Sequence, residues 1–270
     1  MKRICLFMAV LGVTIAAATQ VYGAAWEVKL DDYMGGVVYK EDGRLANTEI
    51  RSKATAFYSK TTLSFCNYDN EGLEGELFYS MFLTGQAEEA WDVDTIRYQT
   101  NDLSFWGLET GWHLGWAIPV DINKDFDVTI TPLAGYRWKF MRFTRQNFNI
   151  LNTITIAETV DEDYEVHSID VGGKITVGLT EDLEIFVKPI LGIVTYNSAT
   201  NSVLGTIKGD GGLFFDGSLG LDYAITEDIV VGLMFRTELQ QLRGNEKNGV
   251  LWPDNTLNIY GGSINIKYKF

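Results

Sequence analysis

Apolar and polar residues alternate with a period of two along the end of the chain, and this alternation constrains the fold most strongly. From Tyr260 to Phe270, every second residue is apolar or Gly, and the residues between them are Gly, Ser, Asn or Lys. Such alternation is typical of a β-strand with one apolar and one polar face. A strand with lipid on one side and a polar lumen on the other has this pattern.

The same alternation recurs in seven earlier segments. Their polar faces carry many Gly residues and charges of both signs, as the crowded interior of a barrel requires. We therefore predict an all-β fold, a transmembrane antiparallel up-and-down β-barrel. The seven segments are 73–83, 106–118, 126–140, 169–179, 183–193, 213–225 and 229–235.

The segment before residue 67 alternates less regularly. Residues 26–30 and 34–39 alternate on either side of Asp31-Asp32, and a further strand is expected at 49–66. Counting two strands here gives ten, an even number that leaves both termini in the periplasm. Eight strands, with residues 24–66 as a plug or extension, are the alternative.

The connections between these segments alternate in length. Short turns on one side and long polar loops on the other are the outer-membrane arrangement. The short turns are predicted at 121–125, 180–182 and 226–228, and the long loops at 85–101, 146–163, 197–209 and 244–255.

The N-terminus predicts export. Residues 1–23 combine a basic start, an apolar core and a small residue at the end, which is typical of a secretory signal peptide. Residues 24–270 then form the barrel, and we expect it in the outer membrane of a Gram-negative-type bacterium. The whole chain has 22 bases and 36 acids. This acidic balance argues against nucleic acid as a partner, because nothing would neutralise the phosphates.

The inward phase of the strands carries many charged residues. A barrel of ten strands is only slightly wider than the eight-stranded kind that side chains fill, so we expect a structural network of ion pairs and not a conducting pore. The inward residues are Lys29, Glu74, Glu76, Glu109, His113, Arg137, Lys139, Asp170, Lys174, Glu184, Lys188, Asp216, Asp222, Arg236, Glu238, Lys267 and Lys269.

Few residues suggest catalysis. The sequence has no set of residues at close metal-ligand spacing and no Gly-rich phosphate loop before a helix, so neither a metal nor another cofactor is expected. Asp92 and Asp94 form the one loop motif of chemical interest, since two carboxylates can position a water molecule. They are equally consistent with solvated loop acids.

Ten strands, the Asp92-Val93-Asp94 motif in the second external loop and Leu133-Ala134-Gly135-Tyr136 resemble the omptins, a family of outer-membrane proteases. The resemblance implies that Asp92 and Asp94 orient the attacking water. Omptins supply an Asp-x-His pair from the loop between the seventh and eighth strands, but residues 197–209 contain no His. His167, in Glu165-Val166-His167 on the sixth strand, is then the candidate base.

The same resemblance implies partners. Omptins hold lipopolysaccharide against basic and aromatic residues near the rim, which here implies Trp138, Arg142 and Arg145. A terminal Phe such as Phe270 resembles the signal that the barrel-assembly machinery reads in outer-membrane proteins. We expect a monomer.

Because the general base of an omptin is missing, we expect a non-catalytic surface protein that has an adhesive, binding or envelope-structural role through its external loops. An omptin-type endopeptidase that uses the Asp pair is the first alternative, and a narrow channel is the second. A soluble β-sandwich is the remaining structural alternative.

Overall fold

Ten long strands close on themselves to form a barrel. The computed structural model describes residues 26–45, 48–67, 71–123, 126–203, 205–247 and 250–270, so the predicted signal peptide at 1–23 lies outside the described residues. The strands are β1 Trp26–Leu45, β2 Thr48–Asn67, β3 Gly72–Thr84, β4 Ala87–Val93, β5 Ile96–Asn123, β6 Phe126–Ile150, β7 Ile154–Gly178, β8 Leu183–Asn201, β9 Gly205–Lys208, β10 Gly212–Ala224, β11 Ile229–Leu242, β12 Asn245–Lys247, β13 Val250–Trp252 and β14 Asp254–Lys269.

The first and last long strands close the ring. Around the barrel the order is β1-β14-β11-β10-β8-β7-β6-β5-β3-β2, and β2 pairs again with β1. Every neighbouring pair is antiparallel. The predicted ten-stranded up-and-down barrel is confirmed. The eight-stranded alternative is wrong, because β1 and β2 are full members of the wall.

The outer wall is apolar, as the alternation predicts. On β14, Ile264 is 62% exposed and Ile266 51% exposed, with the exposed aromatic residues Tyr260 and Tyr268 on either side. An apolar band between two aromatic girdles is the lipid-facing surface of a transmembrane barrel. None of the described residues belongs to a helix long and apolar enough to cross a membrane.

Several strands continue far beyond the lipid belt. β5, β6 and β7 have 28, 25 and 25 residues, whereas a spanning strand needs about 9–11. The predicted long loop at 146–163 is therefore wrong in most of its length: Phe148 pairs with Ile156, Ile150 pairs with Ile154, and only 151–153 turn. Alternating Thr and Ile residues at 153–156 favour a strand.

The other long connections also contain strands. In the predicted loop at 85–101, β4 pairs with both β2 and β5. β9 pairs with β8, and β12 forms a hairpin with β13. These additions all lie at the end opposite the two termini, which we call the extracellular end. The end that carries the termini is the periplasmic end.

An aromatic core fills the extracellular half of the lumen. Tyr58, Phe82 and Phe105 pack with ring centroids 5.9 to 6.5 Å apart, and Phe143 continues the cluster. The inward Gly residues make this possible: a Cβ on Gly107 would lie 2.3 Å from the ring of Phe82. Gly on the inner face therefore leaves room for rings from neighbouring strands.

The periplasmic half of the lumen is more open. A cavity of about 700 Å³ lies there, lined by charged side chains that include Glu74, Lys174, Lys188 and Lys267. The barrel is thus closed by packed rings on one side and polar on the other. The charged groups between these halves form the candidate site.

Candidate functional site

A cluster of buried charges separates the aromatic core from the periplasmic cavity. The ammonium of Lys60 lies 2.8 Å from Glu238 Oε1 and 3.2 Å from Glu109 Oε2. Arg137 Nη1 lies 3.4 Å from Glu109 Oε1, and Lys139 lies within 4.0 Å of both carboxylates. All five side chains are at most 3% exposed. We call these five residues the central charge cluster.

The network continues toward the periplasm through Asp170. Its Oδ2 lies 2.8 Å from Arg137 Nη2 and 3.2 Å from His113 Nε2, and Ser168 donates to its Oδ1 at 2.8 Å. His113 Nδ1 also lies 3.4 Å from Glu76. His113 is therefore held between two carboxylates, while the predicted inward neighbour Glu109 binds Lys60 instead.

Further pairs line the wall below. All of them except Arg236–Glu238, which lies within β11, join different strands, so nearly every charge meets an opposite charge at close range. These pairs are Arg236–Asp216 at 2.5 Å, Arg236–Glu238 at 2.9 Å, Lys188–Glu76 at 2.5 Å, Lys174–Glu74 at 3.8 Å, Lys267–Asp222 at 2.8 Å and Lys267–Glu27 at 3.9 Å.

The central charge cluster packs against aromatic rings at this level of the lumen. Rings cover its cations: Lys139 Nζ lies 5.1 Å from the centroids of both Phe82 and Phe214, and Arg137 lies 4.2 Å from that of Phe214. Among the described residues, paired charges and aromatic faces therefore lie together at this level. The arrangement is typical of a structural layer that separates the aromatic core from the periplasmic cavity.

Sequence reasoning missed Lys60. For the strand expected at 49–66, only the outward apolar residues Phe57, Leu63 and Phe65 were assigned, and no inward residue was named. Lys60 lies on the opposite phase from Phe57 and Leu63, so strict parity would have identified it as an inward residue.

A second cluster lies above the aromatic core, beyond the lipid belt. Arg145 lies 2.7 Å from Glu89 Oε2 and 3.0 Å from Glu41 Oε1, and it also binds Glu162. Arg145 Nη2 donates to Tyr39 Oη at 3.1 Å. Three buried carboxylates thus surround one guanidinium. We call these five residues the rim cluster.

Burial and charge act differently on two acids of the rim cluster. Burial raises the pKa of Glu41 to about 7, and the attraction of Arg145 only partly opposes it. Burial also acts to raise the pKa of Glu89, but Arg145 and hydrogen bonds from Asn101 and Ser52 outweigh it and lower the pKa of that carboxyl. Glu41 is therefore the acid that holds a proton near neutral pH.

The rim cluster corrects one predicted lipid contact. Arg145 is 6% exposed and points into the barrel, so it is not on the outer surface. The reason is the alternation of side chains along a strand: Arg145 lies three positions after the outward Arg142, and an odd offset places it on the opposite face.

The other two residues predicted to bind lipid lie on the outer wall. Arg142 makes two hydrogen bonds to Asp163, at 2.6 and 2.7 Å, and Trp138 Nε1 donates to Glu165 at 3.1 Å. The rings of Trp138 and Phe140 stack with centroids 6.5 Å apart. This is a mixed aromatic and charged surface at the extracellular edge of the lipid belt.

The structure does not bring the three predicted catalytic residues together. Asp92 binds Arg97 at 2.6 Å, and Asp94 accepts a hydrogen bond from the Glu49 amide at 2.9 Å in the turn between β4 and β5. His167 lies on the outer wall, where it contacts Tyr136 and lies 3.3 Å from Glu165. The assignment of Asp92, Asp94 and His167 as one catalytic set is therefore wrong.

The separation is large because the strands are long. His167 pairs with Trp138, which pairs with Thr110 on β5, whereas Asp92 pairs with Arg97 on that strand. Arg97 and Thr110 are thirteen positions apart on β5, which amounts to about 40 Å at the rise of a β-strand.

We predict that Lys60→Met destabilises the barrel by about 3–5 kcal/mol, because Glu109 and Glu238 then lose their closest cation inside the lumen. Denaturant unfolding in detergent micelles, followed by Trp fluorescence, measures this loss. Lys53→Met is the matched control, since Lys53 is exposed on the same strand. Equal unfolding midpoints for the two variants would contradict the structural role of Lys60.

The raised pKa of Glu41 predicts a pH dependence. A carboxyl that binds its proton more tightly in the folded state than in the unfolded state stabilises the fold as pH falls from about 8 to 5. We expect a gain on the order of 2 kcal/mol across that window. Glu41→Gln should remove this slope, while Glu49→Gln, an exposed acid on β2, should retain it. The measurement is the unfolding free energy at each pH.

Comparison with solved structures supports the architecture. The outer membrane protease OmpT from Escherichia coli superposes with a TM-score of 0.60 at 11% identity, over 90% of this chain and 97% of that chain. The translocator domain of the autotransporter NalP from Neisseria meningitidis gives a TM-score of 0.42 at 11% identity, over 100% of this chain and 98% of that chain. No family model matches the sequence, and neither does any curated protein. The chain therefore has the fold of an omptin-like, ten-stranded outer-membrane β-barrel.

Proposed function

We propose that this chain is a non-catalytic adhesive surface protein in the outer membrane of a Gram-negative-type bacterium. In this proposal residues 1–23 direct export, the assembly machinery reads Phe270, and the lumen is closed. The extracellular hairpins then carry the function. The observation that carries the proposal is an exposed apolar tip on the hairpin of β6 and β7.

This tip holds apolar side chains where a hairpin turn normally has polar ones. Leu151 and Ile154 are 52% and 57% exposed, and Tyr98 beside them is 44% exposed. Leu151 and Asn152 have φ angles of 49° and 54°, a conformation that favours Gly or Asn. An apolar residue kept in the left-handed region costs about 1–2 kcal/mol, which suggests that the exposed Leu151 side chain serves a function.

The tip is also held in place. The Leu151 amide donates to the Tyr98 carbonyl at 2.8 Å, so the β6–β7 turn is joined to β5. Three extended strands thus present one apolar surface outside the membrane. An apolar patch on a rigid support is typical of an interaction site.

We predict that cells that display the chain adhere to hexadecane droplets, and that Leu151→Asn combined with Ile154→Thr reduces this adherence several-fold. The apolar contact area is removed while β-propensity and the turn are kept. Glu158→Gln on the same hairpin is the control and should adhere as the unchanged protein does. Unchanged adherence of the double variant, at equal surface amounts, would overturn the proposal.

Two further measurements on the same purified protein separate the alternatives. In planar bilayers, we expect no steady conductance, because the central charge cluster and the rings above it fill the lumen. With basic and neutral peptide libraries, we expect no cleavage, because Asp92 and Asp94 lie far from His167. Steady conductance would favour the channel, and cleavage lost in an Asp92→Ala, Asp94→Ala variant would favour the protease.

We also propose that lipopolysaccharide contacts the outer wall at Trp138 and Arg142. A lipid phosphate competes with Asp163 for the guanidinium of Arg142, while the Trp138 ring packs on acyl chains. We predict that Arg142→Ala lowers the lipopolysaccharide retained after purification about twofold or more, as measured by mass spectrometry. Arg51→Ala, an exposed Arg above the belt, is the control. An unchanged lipid ratio in Arg142→Ala would contradict this contact.

A further inference from the structure

A carboxylate lies on the lipid-facing wall at the middle of the membrane. Asp32 is exposed in the outward phase of β1, and its partner on β14 is Ile264. Tyr260 and Tyr268, at the two edges of the lipid belt, each lie four residues from Ile264 along β14. Asp32 is therefore about equally far from both membrane surfaces.

Lipid does not satisfy this carboxylate. Thr61 Oγ1 donates to Asp32 Oδ1 at 2.9 Å, and Oδ2 accepts no hydrogen bond from any described residue. Acyl chains have no hydrogen-bond donors, so an ionisable group at this depth is costly unless a polar partner reaches it. Asp32 therefore needs a hydrogen-bond partner that itself lies within the membrane.

The wall around Asp32 is indented and partly polar. Gly36 and Gly262 occupy outward positions, and Ser59 lies one outward step from Thr61. An open groove runs beside β1 toward β11. Its outward lining includes Asp32, Met34, Leu233, Phe235, Gly262 and Ile264.

We propose that a second copy of this chain occupies this wall and forms a membrane-embedded dimer across β14, β1, β2 and β3. The two-fold axis of such a dimer is parallel to the membrane normal, so groups that meet across it lie at equal depth. Asp32 and Thr61 are cross-strand partners on strands about 5 Å apart. An axis between β1 and β2 therefore sets the Asp32–Thr61 pair of one copy against the same pair of the other. The Thr61 proton is already donated within its own chain, so the Ser59 hydroxyl, one outward step away, is the donor for the Asp32 carboxylate of the second copy.

The same axis fills the groove. It sets β3 of each copy against β14 of the other, and Met81 on β3, 53% exposed, lies at the level of Thr61. The flexible Met81 side chain then enters the indentation at Gly262, and the contact repeats on the other side of the axis. The polar groups and the apolar indentation of this wall thus both meet matching groups on the same wall of the second copy. The proposed dimer differs from the monomer expected from the sequence, and the test below distinguishes them.

The test is single-molecule photobleaching of the full-length gene product, purified from outer membranes and reconstituted in lipid vesicles. The unchanged protein should bleach in two steps, and Asp32→Leu should bleach mainly in one, with the dimer dissociation constant raised about tenfold. Asp32→Asn should retain the dimer, because an amide still accepts and donates hydrogen bonds. Two-step bleaching of Asp32→Leu at the same density would overturn the proposal, as would one-step bleaching of the unchanged protein.

A disulfide test locates the interface. In a Cys66→Ser background, Leu30→Cys places a thiol beside the proposed axis, and Val171→Cys places one on β7, on the opposite wall of the ring. Copper phenanthroline should link the first variant and not the second. Equal linking of both would overturn the proposal. Each variant is checked for folding by its heat-modifiable migration on gels. We expect Asp32→Leu to fold, because Leu is well suited to a lipid-facing position.

Discussion

Charges inside a narrow barrel are stable only when opposite charges lie within reach, and the rest of this structure depends on that pairing. Lys60, on β2, binds Glu109 on β5 and Glu238 on β11, so one side chain joins three strands that are not neighbours. Arg137 and Lys139 complete the balance, and rings from Phe82 and Phe214 cover them. Because several strands contribute to the central charge cluster, it holds these strands together. The same cluster separates the two halves of the lumen.

The central charge cluster divides the lumen into two regions with different chemistry. Below it, charged side chains face an open cavity toward the periplasm. Above it, aromatic rings and the rim cluster around Arg145 form a solid interior beyond the lipid belt. This solid interior supports the long hairpins, so the extracellular strands extend as rigid elements and not as loose loops. The proposed adhesive role requires that rigidity.

Alternation alone made most of the wall predictable, because lipid and lumen select opposite residue types at every second position. Parity was also enough to place Arg145 inside, although the omptin resemblance suggested the outside. Strand length was not predictable in the same way. Beyond the membrane both faces of β6 and β7 carry polar residues, so 146–163 resembles a loop until its pairing is known. The distance between Asp92 and His167 depends on that length.

The pairing of β1 with β14 determines when the barrel can close during folding. Glu27 lies opposite Lys269, at nearly the full length of the chain away, and Lys267 supplies the cation for Asp222 and Glu27. Until the final strand arrives, both acids lack the cation of Lys267 and the seam beside β1 is open. Contacts of such high sequence separation form late and slowly. An incomplete chain therefore lacks these ion pairs at its open edge, and they form only when β14 pairs with β1.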